Sequence, residues 1–540
     1  MDALSAISTR TTPQTERADA RQVPNSAGGY GFRVGDDARI HRFLTLGTEG
    51  GTYYTSEHEL TKDTASVVLR SARERGSWLV ERIVEISTAG RAPRQNPAIF
   101  ALAATAGLGD DDGRKAALAA LPAVCRTGTH LFLFAGYVEQ FRGWGRGLRR
   151  AVGNWYLWRD VDDVAYQVVK YRQREGWTHR DLLRLAHPKA SADDRRALFD
   201  WITHDVEIGG APLIRAFVRA QAATEVSVWV ELIQNNRLSW EMLPDAALSE
   251  PAVWHALIEK GMPQTALMRQ LPRLTRLGVL TGSTRTRVAE QLASPALLRK
   301  GRVHPVNVLI AQRTYASGES ARGDSTWSPE RRIVDALDAA FYAAFRTIEP
   351  AGKRTLIALD VSGSMGARIS GLPLTCREAS AALALVMLAT EPDADVAGFT
   401  SSTTSVRSIN RGLGYMVASG ISPLPLSPRQ RLDDAVRSIA NLPFGGTDCA
   451  LPMLWADGNS RKYDTFVILT DNETWAGSMH PHQALRQYRE RSGINARLVV
   501  VGMTATDFSI ADPQDPGSLD VAGFDSAVPN LIADFSRGVI

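Results

Sequence analysis

Between about residues 60 and 345, apolar positions recur at three- and four-residue intervals. In "TASVVLRSARERGSWLVERIVEIST", Val68, Ala72, Leu79, Ile83 and Ile86 follow this rhythm with Arg and Glu between them. Such spacing predicts amphipathic helices. Gly and Pro punctuate at short intervals, as in "TAGRAPRQNP", "AGLGDDDG", "IGGAP" and "EKGMP". Helices of about two to four turns joined by short turns are therefore expected. No fixed period is evident, but helix pairs of unequal length can still stack as an α-solenoid, each burying its apolar face on the next. "STWSPERRIVDALDAAFYAAF" predicts the last helix of this region, with Ser328 as N-cap and Pro329 at the first helical position.

The pattern then changes. "RTLIALD", "ADVAGFT", "DTFVILTD" and "ARLVVVGM" are short β-rich apolar runs, separated by the helical "CREASAALALVMLA", "PRQRLDDAVRSIA" and "HPHQALRQYRERS". This alternation predicts an α/β doubly wound, mostly parallel sheet over residues 351–540.

Length agrees with two domains, since 540 residues exceed one ordinary core. A 44% hydrophobic and 22% charged composition is that of a folded soluble chain. The longest apolar run, around residues 381–389, is about half of what spans a bilayer. The N-terminus lacks the apolar core of a secretory signal and reads as a polar, flexible tail over residues 1–21. Cys125, Cys376 and Cys449 are too scattered for a disulfide framework or zinc site, so a reducing, cytoplasmic setting is expected. The net charge of +4 conceals an asymmetry. From residue 351 onward there are 16 Lys and Arg against 19 Asp and Glu, whereas the first 350 residues carry 46 against 39. The basic excess, suited to an anionic partner, lies in the helical part.

Chemistry concentrates where the first strand ends. "LIALDVSGSM" runs from a buried-type strand directly into Asp360, Ser362 and Ser364. Ligands of open α/β sheets sit beyond the carboxyl ends of strands. "TFVILTD" brings Asp471 to the same edge, and "FGGTDCAL" adds Thr447 in a Gly-loosened loop. Two carboxylates, three hydroxyls and waters form an oxygen-only shell for a hard cation, and Mg²⁺ suits it best. This pattern resembles a von Willebrand factor A domain with its metal-ion-dependent adhesion motif. A haloacid-dehalogenase-type phosphatase would need a second Asp where Ser362 stands.

The helical part resembles the TROVE module of the Ro60 autoantigen family. The stretches that carry the likeness are "NSAGGYGF", "RFLTLGTEGGTYY", "KYRQREGWTHRDLLRLAHP", "RLSWEMLPD", "GMPQTALMRQLPRLTRLGVL" and "RVHPVNVLIAQRTYASG", followed by "DVSGSM", "GGTDCALPM" and "LTDNETWAG". It spans about residues 22–540, and the preference for Arg over Lys, with the lack of extensions, points to a bacterial member. The resemblance implies a HEAT-like helical ring over residues 22–350, closed with help from the von Willebrand A domain of residues 351–540. It also implies that single-stranded RNA ends enter a basic hole, that small structured Y-like RNA binds outside, and that misfolded RNA passes to an exoribonuclease.

The residues offer a physical basis for RNA contact. In "VVKYRQREGWTHRDLLRLAHPKA" a helix–turn–helix is expected, with Lys170, Arg172 and Arg174 on the first helix and Arg180, Arg184 and His187 on the second. Lys170 and Arg174, four apart, would share a face. Two basic faces can track a phosphate backbone. Solvated arginines paired with Glu175 and Asp181 are the structural alternative. In "FRGWGRGLRR", Arg142, Arg146, Arg149 and Arg150 form a second basic stretch, whose glycines predict a turn-rich segment. "RFLTLGTEGGTYY" reads as a structural brace, and "HPH" (His480, His482) as a surface turn. No nucleophile elbow or phosphate-cradling loop occurs. The chain thus reads as a monomeric RNA scaffold or chaperone that is not an enzyme. The second reading is a protein–protein adaptor docking its partner through Mg²⁺, and a metal-dependent phosphoesterase is the third.

Overall fold

The computed structural model describes residues 11–46, 66–204, 212–320, 324–345, 348–368, 374–401, 420–428, 430–440, 445–504, 506–524 and 527–539. Chain contacts divide it into two compact units, Ser66–Ala344 and a second formed by the residues before and after. Two short strands open the chain, β1 (Gln22–Pro24) and β2 (Tyr30–Arg33), paired antiparallel.

The first unit is helical. Val68, Ala72, Leu79, Ile83 and Ile86 are all fully buried, as their spacing predicts. They lie on two helices, Ser66–Glu74 and Gly76–Ala89, and the second ends on left-handed Gly90 (φ 70°). Asp110 caps the helix Asp111–Val124 by accepting from the Gly113 N–H, and Thr127 caps Gly128–Glu139 through His130 N–H. Helices pack on the helix two places along: Gly76–Ala89 on Asp111–Val124, and Asn96–Leu108 on Gly128–Glu139. A helix held between neighbours must be apolar on most sides. Asn96–Leu108 is buried along nearly its whole length. The last helices of the unit return to its first ones. Arg302 Nε donates to Thr88 O at 2.9 Å, and Asn307 Nδ2 to Pro93 O at 3.3 Å. His304 is buried between them and bonded to the Arg91 backbone, and burial holds its imidazole neutral, with a pKa near 3.

Two local expectations differ in this unit. The last helix is Arg331–Ala343 with Glu330 at its cap, not Ser328. The Tyr315 hydroxyl takes the Glu330 N–H, while Trp327 N–H is spent on Gly318 O, so the 327–329 segment stays extended. Between the helices Val161–Lys170 and His179–Ala186 lies a hairpin of β3 (Gln173–Arg174) and β4 (Trp177–Thr178). Glu175 (φ 54°) and Gly176 (φ 77°) are both left-handed, as a two-residue hairpin turn requires.

In the second unit, β5 (Thr355–Asp360), β6 (Ala394–Phe399), β7 (Ile421–Pro423), β8 (Thr465–Thr470), β9 (Arg497–Gly502) and β11 (Ser518–Ala522) form one sheet in the order β11-β9-β8-β5-β6-β7, while β10 (Phe508–Ser509) pairs with β2. All neighbours are parallel except β6–β7. "TLIALD" and "TFVILT" are buried at every position, as strands covered on both faces should be. The short edge strands β7 and β11 gave no comparable signal in the sequence. All three cysteines are buried and free. Among the described residues no helix is long and apolar enough to cross a membrane.

Residues 11–46 pack on this unit, where the sequence led us to expect a flexible tail followed directly by helical repeats. Gln14 is fully buried; its amide donates to Asp448 Oδ1 (2.7 Å) and Met479 O (2.8 Å) and accepts from Thr474 Oγ1. His480 is buried, not in a surface turn: one ring nitrogen meets Glu16 O at 2.8 Å, the other the Gln22 amide at 3.1 Å. His482 sets its ring edge-on to Phe32. Arg42, on the helix Asp36–Leu46, is buried against Asp520 (2.8 Å) and the Thr506 carbonyl. That much of "RFLTLGTEGGTYY" is a structural brace; its residues 47–54 lie outside the described ones. Replacing Gln14 by Ala leaves the Asp448 carboxylate buried without a side-chain donor. The loss expected is about 1–3 kcal/mol, read as a lower midpoint in urea unfolding; an unchanged midpoint would contradict the role given to Gln14.

Candidate metal centre and nucleic-acid interface

The parallel register sets Leu359 beside Leu469, so β5 and β8 end together with Asp360 next to Thr470 and Asp471 just beyond. Asp360 is fully buried; Oδ2 accepts from Thr470 Oγ1 (2.7 Å) and Oδ1 from Ser362 N–H (2.9 Å). Ser362 Oγ lies 3.1 Å from Ser364 Oγ, and Ser364 hydrogen-bonds Asp471. Asp471 also accepts the Glu473 N–H at 3.0 Å. Thr447 joins through its loop: Gly445 O accepts the Gly363 N–H, and Thr447 O accepts from Trp475 and Ala476 N–H. Gly446 lets the loop pass close to the Trp475 indole: a Cβ there would stand 2.8 Å from the ring and push it aside. Ser364 is exposed, whereas Ser362, Thr447 and Asp471 are buried, so the cluster opens to solvent at Ser364.

The electrostatics of this cluster are unfavourable as it stands. Burial, then the charge of Asp471, push Asp360 up to about 7, and burial raises Asp471 as well. Their hydrogen bonds come from hydroxyls and backbone N–H, while Arg377 donates to the carbonyls of Val361 and Ser362. A dication between the carboxylates would remove the repulsion. Among the described residues no group of three or more His, Cys, Asp or Glu could hold a metal. A cation here would thus rely on Asp360, Asp471, the three hydroxyls and water, the donor set of a hard ion such as Mg²⁺. Asp448, beside Thr447, was missed by sequence reasoning. It faces the Gln14 amide and Ala450 N–H, and burial raises it to about 6.

The basic residues separate into two groups. Lys170 ends its helix with its side chain about 10% exposed, paired to Glu241 at 3.4 Å and beside the rings of Tyr166 and Tyr171. It shares no helix face with Arg174, because the hairpin intervenes. Arg142 is half-buried and donates to Ala106 O. By contrast Arg172, Arg174, Arg180, Arg184 and His187 are exposed. Arg180 and Arg184 sit one turn apart on His179–Ala186, whose start is fixed by a Thr178–Asp181 capping box; His187 is its left-handed C-cap. His179 is a core residue, its ring bonded to the Tyr156 hydroxyl at 2.8 Å and held neutral by burial, with a pKa near 3. "RGLRR" is helical: Arg146, Arg149 and Arg150 are exposed within the first five residues of Arg146–Leu157. Leu148, Val152 and Trp155 bury its other face, which outweighs the cost of the glycines. Cations at a helix N-terminus oppose its dipole, so self-stabilisation does not account for these arginines. Arg146–Leu157 packs on His179–Ala186, so both exposed arginine sets stand on adjoining helices.

A family model described as the TROVE domain matches residues 23–207 and 234–314, and one described as the Ro60 vWA domain matches residues 354–536. The chain is 42% identical over 548 residues to an RNA-binding protein RO60 of Deinococcus radiodurans, covering 99% of each. It is 34% identical over 612 residues to an RNA-binding protein RO60 of Caenorhabditis elegans, covering 98% of this chain and 92% of that one. The crystal structure of the D. radiodurans RO (RSR) protein is similar at a TM-score of 0.71 and 40% identity, covering 94% of this chain and 100% of that one.

If the acidic cluster takes a cation, Mg²⁺ at about 100 times its dissociation constant should stabilise the protein by about 2.7 kcal/mol. Asp360→Ala should abolish both this shift and the heat of Mg²⁺ binding. Calorimetric titration of the variant decides it, and a titration matching the unmutated protein would remove Asp360 from the site.

Proposed function

The chain belongs to the Ro60 family, and on that premise we propose that it is an RNA-binding scaffold. It holds small structured RNA on the helical unit and engages the single-stranded 3′ ends of misfolded or damaged RNA. The observation that carries the reading is the run of exposed Arg and His side chains on the β3–β4 hairpin and the two adjoining helices. Guanidinium groups suit bidentate phosphate contact. Lys170 and Arg142, whose side chains are already engaged, act as structural supports in this reading.

The return of Arg302, His304 and Asn307 to the segment 88–93 supports a closed helical path. A hole within such a path would admit a single strand and exclude a duplex. Family analogy adds an exoribonuclease as the recipient of threaded RNA. We place the protein in the cytoplasm as a monomer, with Mg²⁺ held by Asp360, Ser362, Ser364, Thr447 and Asp471. Its action is binding, not catalysis. Protein docking through that cation is the second reading, favoured by Trp475, 41% exposed beside the Thr447 loop.

Two experiments test the RNA reading. Replacing Arg174, Arg180 and Arg184 together by Gln should weaken binding of a small stem-loop RNA. It should also lessen the slope of log affinity against log salt by roughly 0.7–0.9 per lost phosphate contact. Full affinity with an unchanged slope in gel shifts would move the surface elsewhere. Separately, a stem with an unpaired 3′ tail should compete better than the same stem with a blunt end, with little dependence on tail sequence. Circularised single-stranded RNA should compete poorly. Equal competition by all three would leave surface binding and discard threading.

A further inference from the structure

A cleft of about 330 Å³ opens in the helical unit between the β3–β4 hairpin, the start of the helix His179–Ala186 and the helix Asp193–His204. Its apolar side is made by Val168, Ile202 and the half-buried ring of Trp201. Its polar side comes from the hairpin. Gln173 and Thr178 are cross-strand partners and therefore share a face, and both line the cleft. The other pair, Arg174 and Trp177, belongs to the opposite face, where Trp177 meets Trp144, ring centres 5.9 Å apart. The two-residue turn thus decides which hairpin residues reach the cleft.

Arg172 and Arg180 stand at the same cleft, and both are exposed. The Arg172 guanidinium lies over the Phe217 ring at 5.4 Å, which steadies it without neutralising it. Among the described residues Arg180 makes no hydrogen bond or ion pair, and the Gln173 amide makes no side-chain hydrogen bond. Thr178 is already committed to Asp181 at 2.6 Å. The cleft therefore combines an aromatic wall, one uncommitted amide and two cations, with a volume at the lower end of small-ligand sites.

We propose that this cleft receives one unpaired nucleobase of a bound RNA, stacked on Trp201 and read at its edge by Gln173, with the flanking phosphates on Arg172 and Arg180. The proposal rests on the RNA reading above and adds to it. Phosphate contacts alone would make binding indifferent to any single base, whereas a stacking cleft makes one position count. A base held in a duplex is shielded by its neighbours, so the ligand is a bulged, looped or tail nucleotide.

The test uses the full chain and a stem-loop RNA with an unpaired 3′ tail, each unpaired nucleotide replaced in turn by an abasic one. One abasic position should lower affinity roughly fivefold to hundredfold, the range for loss of one stacked base. Trp201→Leu should lose a similar factor on intact RNA and little more on that abasic RNA, while Trp201→Phe keeps most of the affinity. Gln173→Ala, at an exposed position, repeats the comparison should Trp201→Leu fold poorly. A flat abasic scan with intact RNA binding would overturn the cleft and spare the parent reading. Failure to bind any RNA would bring down both. AMP binding at millimolar concentration, with RNA affinity untouched by Trp201→Leu, would assign the cleft to free nucleotides and overturn the inference.

Discussion

Two carboxylates share one buried sheet edge, and much of the C-terminal unit is arranged around that constraint. β5 lies between β6 and β8, so its last residue, Asp360, has no path to solvent sideways. Parallel register brings the end of β8, and so Asp471, to the same level. Hydroxyl and backbone donors from three loops then converge, because in a low-dielectric edge each charge needs several partners. Thr470, Ser362 and Ser364 supply them directly, and the Gly445–Thr447 loop is drawn in by Gly363. The N-terminal segment leans on the same edge. Gln14 bridges Asp448 and Thr474, neighbours of Thr447 and Asp471 in the chain. Gln14 thus packs against residues more than 430 positions later in the chain.

The helical unit follows a different logic. A stacked helix buries apolar surface on its neighbours, so an end helix of such a stack has an apolar flank to cover. Here the segment 88–93, at the end of Gly76–Ala89, meets Arg302 and Asn307 near the start of Pro305–Ser317, and His304, held neutral by burial, lies within that contact. Burial divides the cations: Lys170 and Arg142 are largely enclosed within the unit, whereas Arg172, Arg174, Arg180 and Arg184 are exposed.

What the sequence revealed depended on how local the determining contact is. "TLIALD" and "TFVILT" declare buried parallel strands, and Asp360-Val-Ser362-Gly-Ser364 declares the oxygen cluster, since both patterns follow from alternation and chain direction. Lys170 and Arg174 fit helical spacing, but Glu175-Gly176 outweighs that spacing through two left-handed residues. In "RGLRR" the opposite holds: the glycines favour turns, but burial of Leu148 and Val152 carries the helix. Gln14, His480 and His482 gave no signal at all. Their partners lie more than 430 residues away, and nothing in a polar N-terminus indicates that one amide is buried.

The central claim is that RNA and the divalent cation occupy separate units of one chain. Hydrogen–deuterium exchange measured with RNA alone, Mg²⁺ alone and both would test it directly. RNA should slow exchange in residues 172–204 and leave the loops at 361–364 and 445–448 unchanged; Mg²⁺ should do the reverse, and the two effects should combine without interference. RNA protection confined to the C-terminal unit, or appearing in residues 172–204 only when Mg²⁺ is present, would contradict the account.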